Sequence, residues 1–327
     1  MIKAYKAVYS YMFPEVRDLI FETFLPSNSM EPDLSLFPSK SKFIFEKTFL
    51  KNFFQSPEEM DNLHIPILNN WKNKHNISLI GINDFKYMYP TAGSEEGIRE
   101  FMSVLSQIIP RIYVLKDEYE GYQNVAKTRL LNILEIKEDD IDKVNPGWFF
   151  ISNPSARDGN IISNSLINKI GDSGHKIFYD LAYLDSTNFH QFDLSHKNII
   201  TVVMSFSKPY GLFYFRFGAL FSRIPVESLE ANKWFKVVPS LLIADKIINS
   251  INPDKMVAKY KPVQEEIVKN LQKDIPSMEC SDALIISHIK KERINEIPNN
   301  ILQEIEIYKR GNGYRFCLTP YFREILQ

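Results

Sequence analysis

Cysteine, glycine and any surplus of one charge are what this chain has least of. Its 327 residues contain two cysteines, Cys280 and Cys317. They form no C-x-x-C pair and no disulfide framework, which suits a reducing compartment. With 12 glycines, long glycine-rich loops are not available. Neither the P-loop pattern nor the G-x-G-x-x-G dinucleotide fingerprint occurs. Lys and Arg number 39 against 40 Asp and Glu, a net charge of −1. That removes the electrostatic basis for general nucleic-acid binding. No apolar run approaches the ~18 residues needed to span a bilayer. The opening MIKAYKAVYSYMFPEVRD lacks the apolar stretch and small-residue cleavage site of a secretory signal. The expectation is a soluble, cytoplasmic chain with no membrane and no nucleic-acid partner. The 6 histidines show no H-E-x-x-H and no zinc-type spacing, so no metal site is expected.

What is present is ample core material: 44% hydrophobic and 13% aromatic residues. The length corresponds to about two domains at ~150 residues each. SNSMEPDLSLFPSKSK at 27–42 reads as loop, without period. Ser-Pro-Glu-Glu opens a helical stretch at 56–75, which Pro66 should interrupt. From about residue 88 a pattern sets in. TAGSEEGIREFMSVLSQIIP (91–110) places Ile98, Phe101, Met102, Leu105, Ile108 and Ile109 at helical spacing before Pro110. Short apolar runs follow: RIYVL (111–115), WFFIS (148–152), KIFYD (176–180), NIITVVMS (198–205) and FRFGALFS (215–222). The runs are continuous rather than alternating, as in strands buried on both faces. Stretches near 120–136 and 164–170 read as helices between them. This predicts an α/β fold with a mostly parallel sheet; the short turn before the fifth run would suit an antiparallel strand. Beyond residue 223 the chain reads as helices at 228–251 and 253–273. ALIISHI (283–289) and YRFCLTPYF (314–322) read as strands of a smaller α+β unit.

In open parallel sheets, ligands bind beyond the carboxyl ends of the strands. The residues expected there are Tyr119 after RIYVL, Asn153 after WFFIS, Asp180 and Tyr183 at the end of KIFYD, and Ser205, Ser207 and Lys208 after VVMS. Gly93, Ser94 and Glu95 precede the first helix of the series, and Arg216 lies eight residues beyond Lys208. Singly, each is an ordinary cap, turn or surface residue. Together they match the needs of pyridoxal phosphate (PLP): a lysine amine, a carboxylate for the ring nitrogen, donors to the ring oxygen, a stacking aromatic and a helix N-terminus with hydroxyls and arginine for phosphate.

The ordered segments TAGSEEGI, DEYEGY, SNPSARDG, DLAY, SFSKPYGLFYFRFG and GYRFCL resemble those of the fold-type I PLP-dependent aminotransferases of class I/II. The resemblance covers roughly residues 88–223 and the C-terminal arginine segment. It implies a large PLP-binding domain at 60–250 and a small domain built from 1–59 and 251–327. It also implies a homodimer with the site at the interface, and a ping-pong exchange between an amino acid and a 2-oxo acid. By resemblance, Lys208 is the Schiff-base lysine and proton shuttle, and Asp180 the partner of the ring nitrogen. Asn153 and Tyr183 are the ring-oxygen donors, and Tyr119 is the stacking aromatic. Gly93, Ser94, Glu95, Ser205, Ser207 and Arg216 form the phosphate cup. Arg315 binds the substrate α-carboxylate, with Asn153 alongside it.

The family's Asn-Pro-Thr-Gly reads Asn153-Pro154-Ser155-Ala156 here, and Asp117-Glu118 replaces the usual Pro before the stacking residue. The tyrosine that the partner subunit donates in this family has no clear counterpart; Phe53, Phe54, Tyr87 and Tyr89 lie near its place. The departures keep open other PLP chemistry (elimination, replacement, decarboxylation or oxidation); a non-catalytic binding protein is a further alternative, against which the complete set of cofactor residues argues. Gly171-Asp172-Ser173-Gly174 is similar to a serine-protease nucleophile segment. Between a helix and a strand, it reads as a turn.

Overall fold

The computed structural model describes residues 2–6, 8, 11–24, 62–231 and 237–326. Residues 27–42, Phe53 and Phe54, and the start of the 56–75 segment lie outside them. Two sheets organise the chain. The larger has seven strands: β1 (Tyr87–Thr91), β2 (Arg111–Leu115), β3 (Asn132–Ile136), β4 (Trp148–Ser152), β5 (Lys176–Leu181), β6 (Ile199–Ser205) and β7 (Gly218–Ser222). Their spatial order is β1-β7-β6-β5-β4-β2-β3. β7 runs antiparallel to both β1 and β6, and the other pairings are parallel.

Side chains alternate across each strand, and both faces are covered. Phe149, Ile151, Tyr179, Val202 and Met204 enter one apolar layer. Phe150, Phe178, Val203 and Leu220 enter the other, beneath α3 (Ser94–Ser106) and α4 (Glu120–Thr128). That double burial explains the continuous apolar runs.

The structure differs from the sequence expectation at several elements. The stretch 120–136 is a helix only to Thr128; Asn132–Ile136 is the edge strand β3. Its exposed residues (Asn132, Leu134, Glu135) dilute the apolar signal. YMYPT is strand β1, which the sequence reading leaves unassigned. Its Pro90 is tolerated because β1 is an edge. Helix α3 ends at Ser106, short of Pro110, and Ile108 is exposed. Helix α2 (His64–His75) takes Pro66 into its first turn, where no N–H is needed, and runs on uninterrupted. The segment 314–322 divides into a strand and helix α10 (Thr319–Leu326).

The smaller sheet is antiparallel: β8 (Glu279–Cys280), β9 (Ile286–Ile289), β11 (Gly313–Cys317) and β10 (Lys309–Arg310), in that spatial order. Tyr5 extends it by a backbone bridge to Cys317. Helices α7 (Val238–Ser250) and α8 (Pro253–Leu271) connect the two sheets. Both cysteines are free. Among the described residues no helix is long and apolar enough to cross a membrane, and no cluster of metal-ligating side chains occurs.

One buried network braces the loops that carry the site. His75 Nε2 meets Asp185 Oδ1 at 2.8 Å, and Tyr210 donates to Asp185 Oδ2 at 2.9 Å. Asp185 lies two residues past Tyr183, and Tyr210 two past Lys208. Burial alone would push the His75 pKa down; the Asp185 charge and hydrogen bond, the Trp71 carbonyl and Asp254 hold it above 6.5. A raised histidine pKa lends stability that is full below the unfolded value and is lost as pH rises through the folded one. His75→Ala should therefore destabilise the fold by about 3 kcal/mol at pH 6, and by less at alkaline pH. Urea unfolding across pH checks this; equal stability of the two proteins at pH 6 would refute the brace.

Candidate active site

Strand directions bring the separated segments together. The register pairs Gly218 with both Thr91 and Ser205. The chain just after β1, just after β6 and just before β7 therefore meets at one sheet end. There, α3 starts at Ser94 with Gly93 as its cap, and no side chain closes its first amides. Gly93 has φ +82°, and a Cβ on it would lie 2.9 Å from the Arg216 guanidinium. The glycine thus leaves room for Arg216, which donates from Nε to Ala92 O at 3.0 Å. Ser205 and Ser207 line the same end, with Ser207 N donating to Ser205 Oγ at 3.1 Å. Open helix amides, two hydroxyls and a guanidinium make an anion cup.

Further in, Asp180 is 3% exposed. Its Oδ1 accepts from Ala182 N at 3.0 Å and its Oδ2 from Tyr122 Oη at 3.1 Å. Burial pushes its pKa up to about 7; the two hydrogen bonds oppose the shift and the charges of Glu118 and Glu95 add to it. Tyr119 forms a wall. Its ring lies over Gly121, where a Cβ would come within 2.2 Å, and stands edge-on to Tyr122 at 5.3 Å.

Lys208 Nζ donates to Val8 O at 2.7 Å and lies 5.9 Å from the Tyr183 ring centre. Loss of hydration, with Arg315 and Arg216 nearby, lowers its pKa to about 8, against the opposing charges of Cys317 and Asp180. Burial raises the Tyr183 phenol to about 12. Arg315, on β11, is 6% exposed. Its guanidinium donates to Ala156 O, and to Lys6 O at 3.4 Å. Arg310, at the end of β10, pairs with Glu120. The Nε of each arginine is buried without a hydrogen-bond partner among the described residues.

A cavity of about 300 Å³ joins these groups. Ser94, Glu95, Tyr119, Asp180, Tyr183, Ser205, Ser207, Lys208, Arg216 and Arg315 all line it. Gly93 stands behind Arg216. Asn153 is not brought there: it is fully buried, and its amide donates to Ile162 O and Tyr179 Oη while its Oδ1 accepts from Ile162 N. The Asn-Pro turn after β4 consumes the side chain that the sequence assigns to the ring oxygen and substrate. Tyr89 is likewise engaged elsewhere, donating to Glu230 at 2.6 Å and accepting from Val226 N. Neither it nor Tyr87 lines the cavity. Tyr122 and Arg310 are additional residues of the site. Tyr122 stands one helical turn after Tyr119, a spacing that the sequence displays; Arg310 carries no such signal. A larger cavity of about 430 Å³ lies against the His75–Asp185–Tyr210 brace and holds none of these residues.

No family model matches the chain. It is 24% identical over 196 residues to histidinol-phosphate aminotransferase 2 of Archaeoglobus fulgidus, covering 57% of this chain and 56% of that one. The chain thus spans about half the length of this curated relative. A PLP-bound putative aminotransferase from Clostridium difficile 630 superposes with a TM-score of 0.65 at 12% identity, covering 94% of this chain and 85% of that one. L-threonine-O-3-phosphate decarboxylase from Porphyromonas gingivalis gives 0.63 at 12% identity, covering 99% and 97%. The fold is that of the fold-type I PLP enzymes.

Proposed function

We propose that this chain is a PLP-dependent aminotransferase that moves an amino group between an α-amino acid and a 2-oxo acid. The observation that carries the reading is one cavity holding a lysine amine with a pKa near 8, a buried carboxyl and an anion cup. This donor set fits PLP. When bound, the cofactor supplies an aldehyde for an amine and a ring that accepts electrons. The α3 amides, Ser205, Ser207 and Arg216 would hold its phosphate, and Asp180 its ring nitrogen. Tyr119 would cover one ring face. With the Asn153 amide engaged, Tyr183 is the remaining donor for the ring oxygen. Lys208 can both accept and release a proton near neutral pH, as a proton shuttle at the substrate Cα must.

With Nη1 held on Ala156 O, the Nε and Nη2 of Arg315 would form the fork for the substrate carboxylate, Nη2 giving up its 3.4 Å contact to Lys6 O. Arg315→Lys should raise KM for the amino donor about 10- to 100-fold and change kcat much less. Steady-state kinetics checks this, and an unchanged KM would remove Arg315 from substrate binding.

The test of the reaction type is a half-reaction with one donor and no oxo acid. Transamination yields one oxo acid per site and neither ammonia nor carbon dioxide. Carbon dioxide release would instead favour a second reading, decarboxylation, for which the decarboxylase of matching fold and length is the supporting observation. We further read the protein as a homodimer with the site at its interface. Tyr214, 94% exposed and two residues from Arg216, supports that reading. Tyr214→Asp should shift the protein to monomers in sedimentation.

A further inference from the structure

Glu118 lines no part of the cavity, yet it is 8% exposed and hydrogen-bonded on both oxygens. Its Oε1 accepts from Ser152 Oγ at 2.5 Å and from Tyr119 N at 2.9 Å, and its Oε2 faces Ser152 N at 3.3 Å. Ser152 Oγ accepts in turn from Ala156 N at 2.8 Å. The Ala156 carbonyl accepts from Arg315. One chain of hydrogen bonds therefore runs from the backbone of Tyr119, through Glu118 and Ser152, to the Arg315 guanidinium.

The local backbone explains why this position matters. Glu118 sits on the turn between β2 and α4, directly after Asp117 with φ +65°. The next residue, Tyr119, caps α4, so its ring goes where the turn puts it. A carboxylate at 118 gives one acceptor group to the two buried donors of Ser152 and to the partly buried Tyr119 N. Without it, the Ser152 donors would lose a buried partner.

We propose that Glu118 is a positioning residue. It fixes the Tyr119 ring and, through Ser152 and Ala156, the Arg315 guanidinium at the separation that cofactor and substrate require. The inference rests on the PLP reading above.

The test uses the full-length protein stripped of cofactor and titrated with PLP itself. The readouts are the dissociation constant and the visible circular dichroism of bound PLP, which reports how the ring is held. Glu118→Gln keeps the size of the side chain but places an NH2 against donors. It should bind PLP about 10- to 100-fold more weakly and give a diminished dichroism band, with its cooperative apo melting retained. Glu118→Asp, which keeps a carboxyl group, should recover part of both. Wild-type affinity and dichroism in Glu118→Gln would overturn the proposal, whatever happens to the melting temperature. If Glu118→Gln does not fold, Ser152→Ala decides: it should show the same losses at smaller size, and wild-type values there overturn the proposal. Absence of PLP binding by the wild type would refute the cofactor reading itself, a result distinct from equal binding by wild type and variant.

Discussion

Lys208→Ala should lose turnover and the covalent hold on PLP together. The reason lies in where the amine sits. The chain leaves β6 at Ser205, and within three residues it delivers Lys208 into the cavity between Tyr183 and Phe213. Loss of hydration and two neighbouring guanidiniums bring its pKa to about 8, so free amine is available near neutrality for attack and for proton transfer. Alanine removes both roles. The proton-transfer role alone is worth about 10²–10⁴-fold in rate. The phosphate cup and Asp180 remain, so the variant should still bind PLP, but reversibly and without the visible band of the lysine-linked cofactor. Activity at the wild-type level in Lys208→Ala would sink the mechanism.

Asp180→Ala should weaken PLP binding about 10- to 100-fold, the size expected for losing a charge-assisted hydrogen bond. It also leaves the Tyr122 hydroxyl and the Ala182 amide without their acceptor. Asp180→Asn keeps an acceptor and loses the charge, so it separates the two effects. The pH dependence has a defined sign. Apo Asp180 takes up a proton as pH falls through about 7. An ionised Asp180 is what would hold a protonated ring nitrogen, so PLP binding should weaken below about pH 7 in the wild type. The part of that slope due to Asp180 should vanish in Asp180→Asn, leaving the part set by the Lys208 amine. The apo fold responds in the opposite direction. A carboxyl raised from 3.8 to about 7 lends stability at low pH that is lost as pH rises through this window. Urea unfolding and PLP titration at pH 5.5 and 8.5 check both signs.

How much of this was legible in the sequence depends on what each element buries. Strands β2, β4, β5 and β6 are covered on both faces, so their apolar runs stand out. Edge strands β1 and β3 hide, one behind Pro90 and the other behind its exposed residues. The site's polar residues could be placed because strand ends in an open parallel sheet converge, and because the Lys208–Arg216 spacing is specific. Asn153 shows the limit of that reasoning. Its position after β4 is readable, but its hydrogen bonds depend on Tyr179 and Ile162, which no local pattern pairs with it. Glu118 and Arg310 are hidden for the same reason, and of Tyr122 the sequence displays only its spacing from Tyr119. Each matters through a partner distant in sequence: Asp180, Ser152 or the cavity itself. The cysteines, the charge balance and the absent nucleotide motifs set the boundaries of the search without pointing to the site.

The most direct test of a PLP-dependent aminotransferase is the visible absorption spectrum of the purified protein, before and after a mixed pool of amino acids is added without any oxo acid. The prediction is a yellow protein whose colour bleaches when the amino acids are added and returns when a 2-oxo acid is supplied. A yellow protein that keeps its colour and releases ammonia or carbon dioxide would contradict transamination and leave the cofactor in place. A colourless protein that takes up no added PLP would contradict the reading at its root.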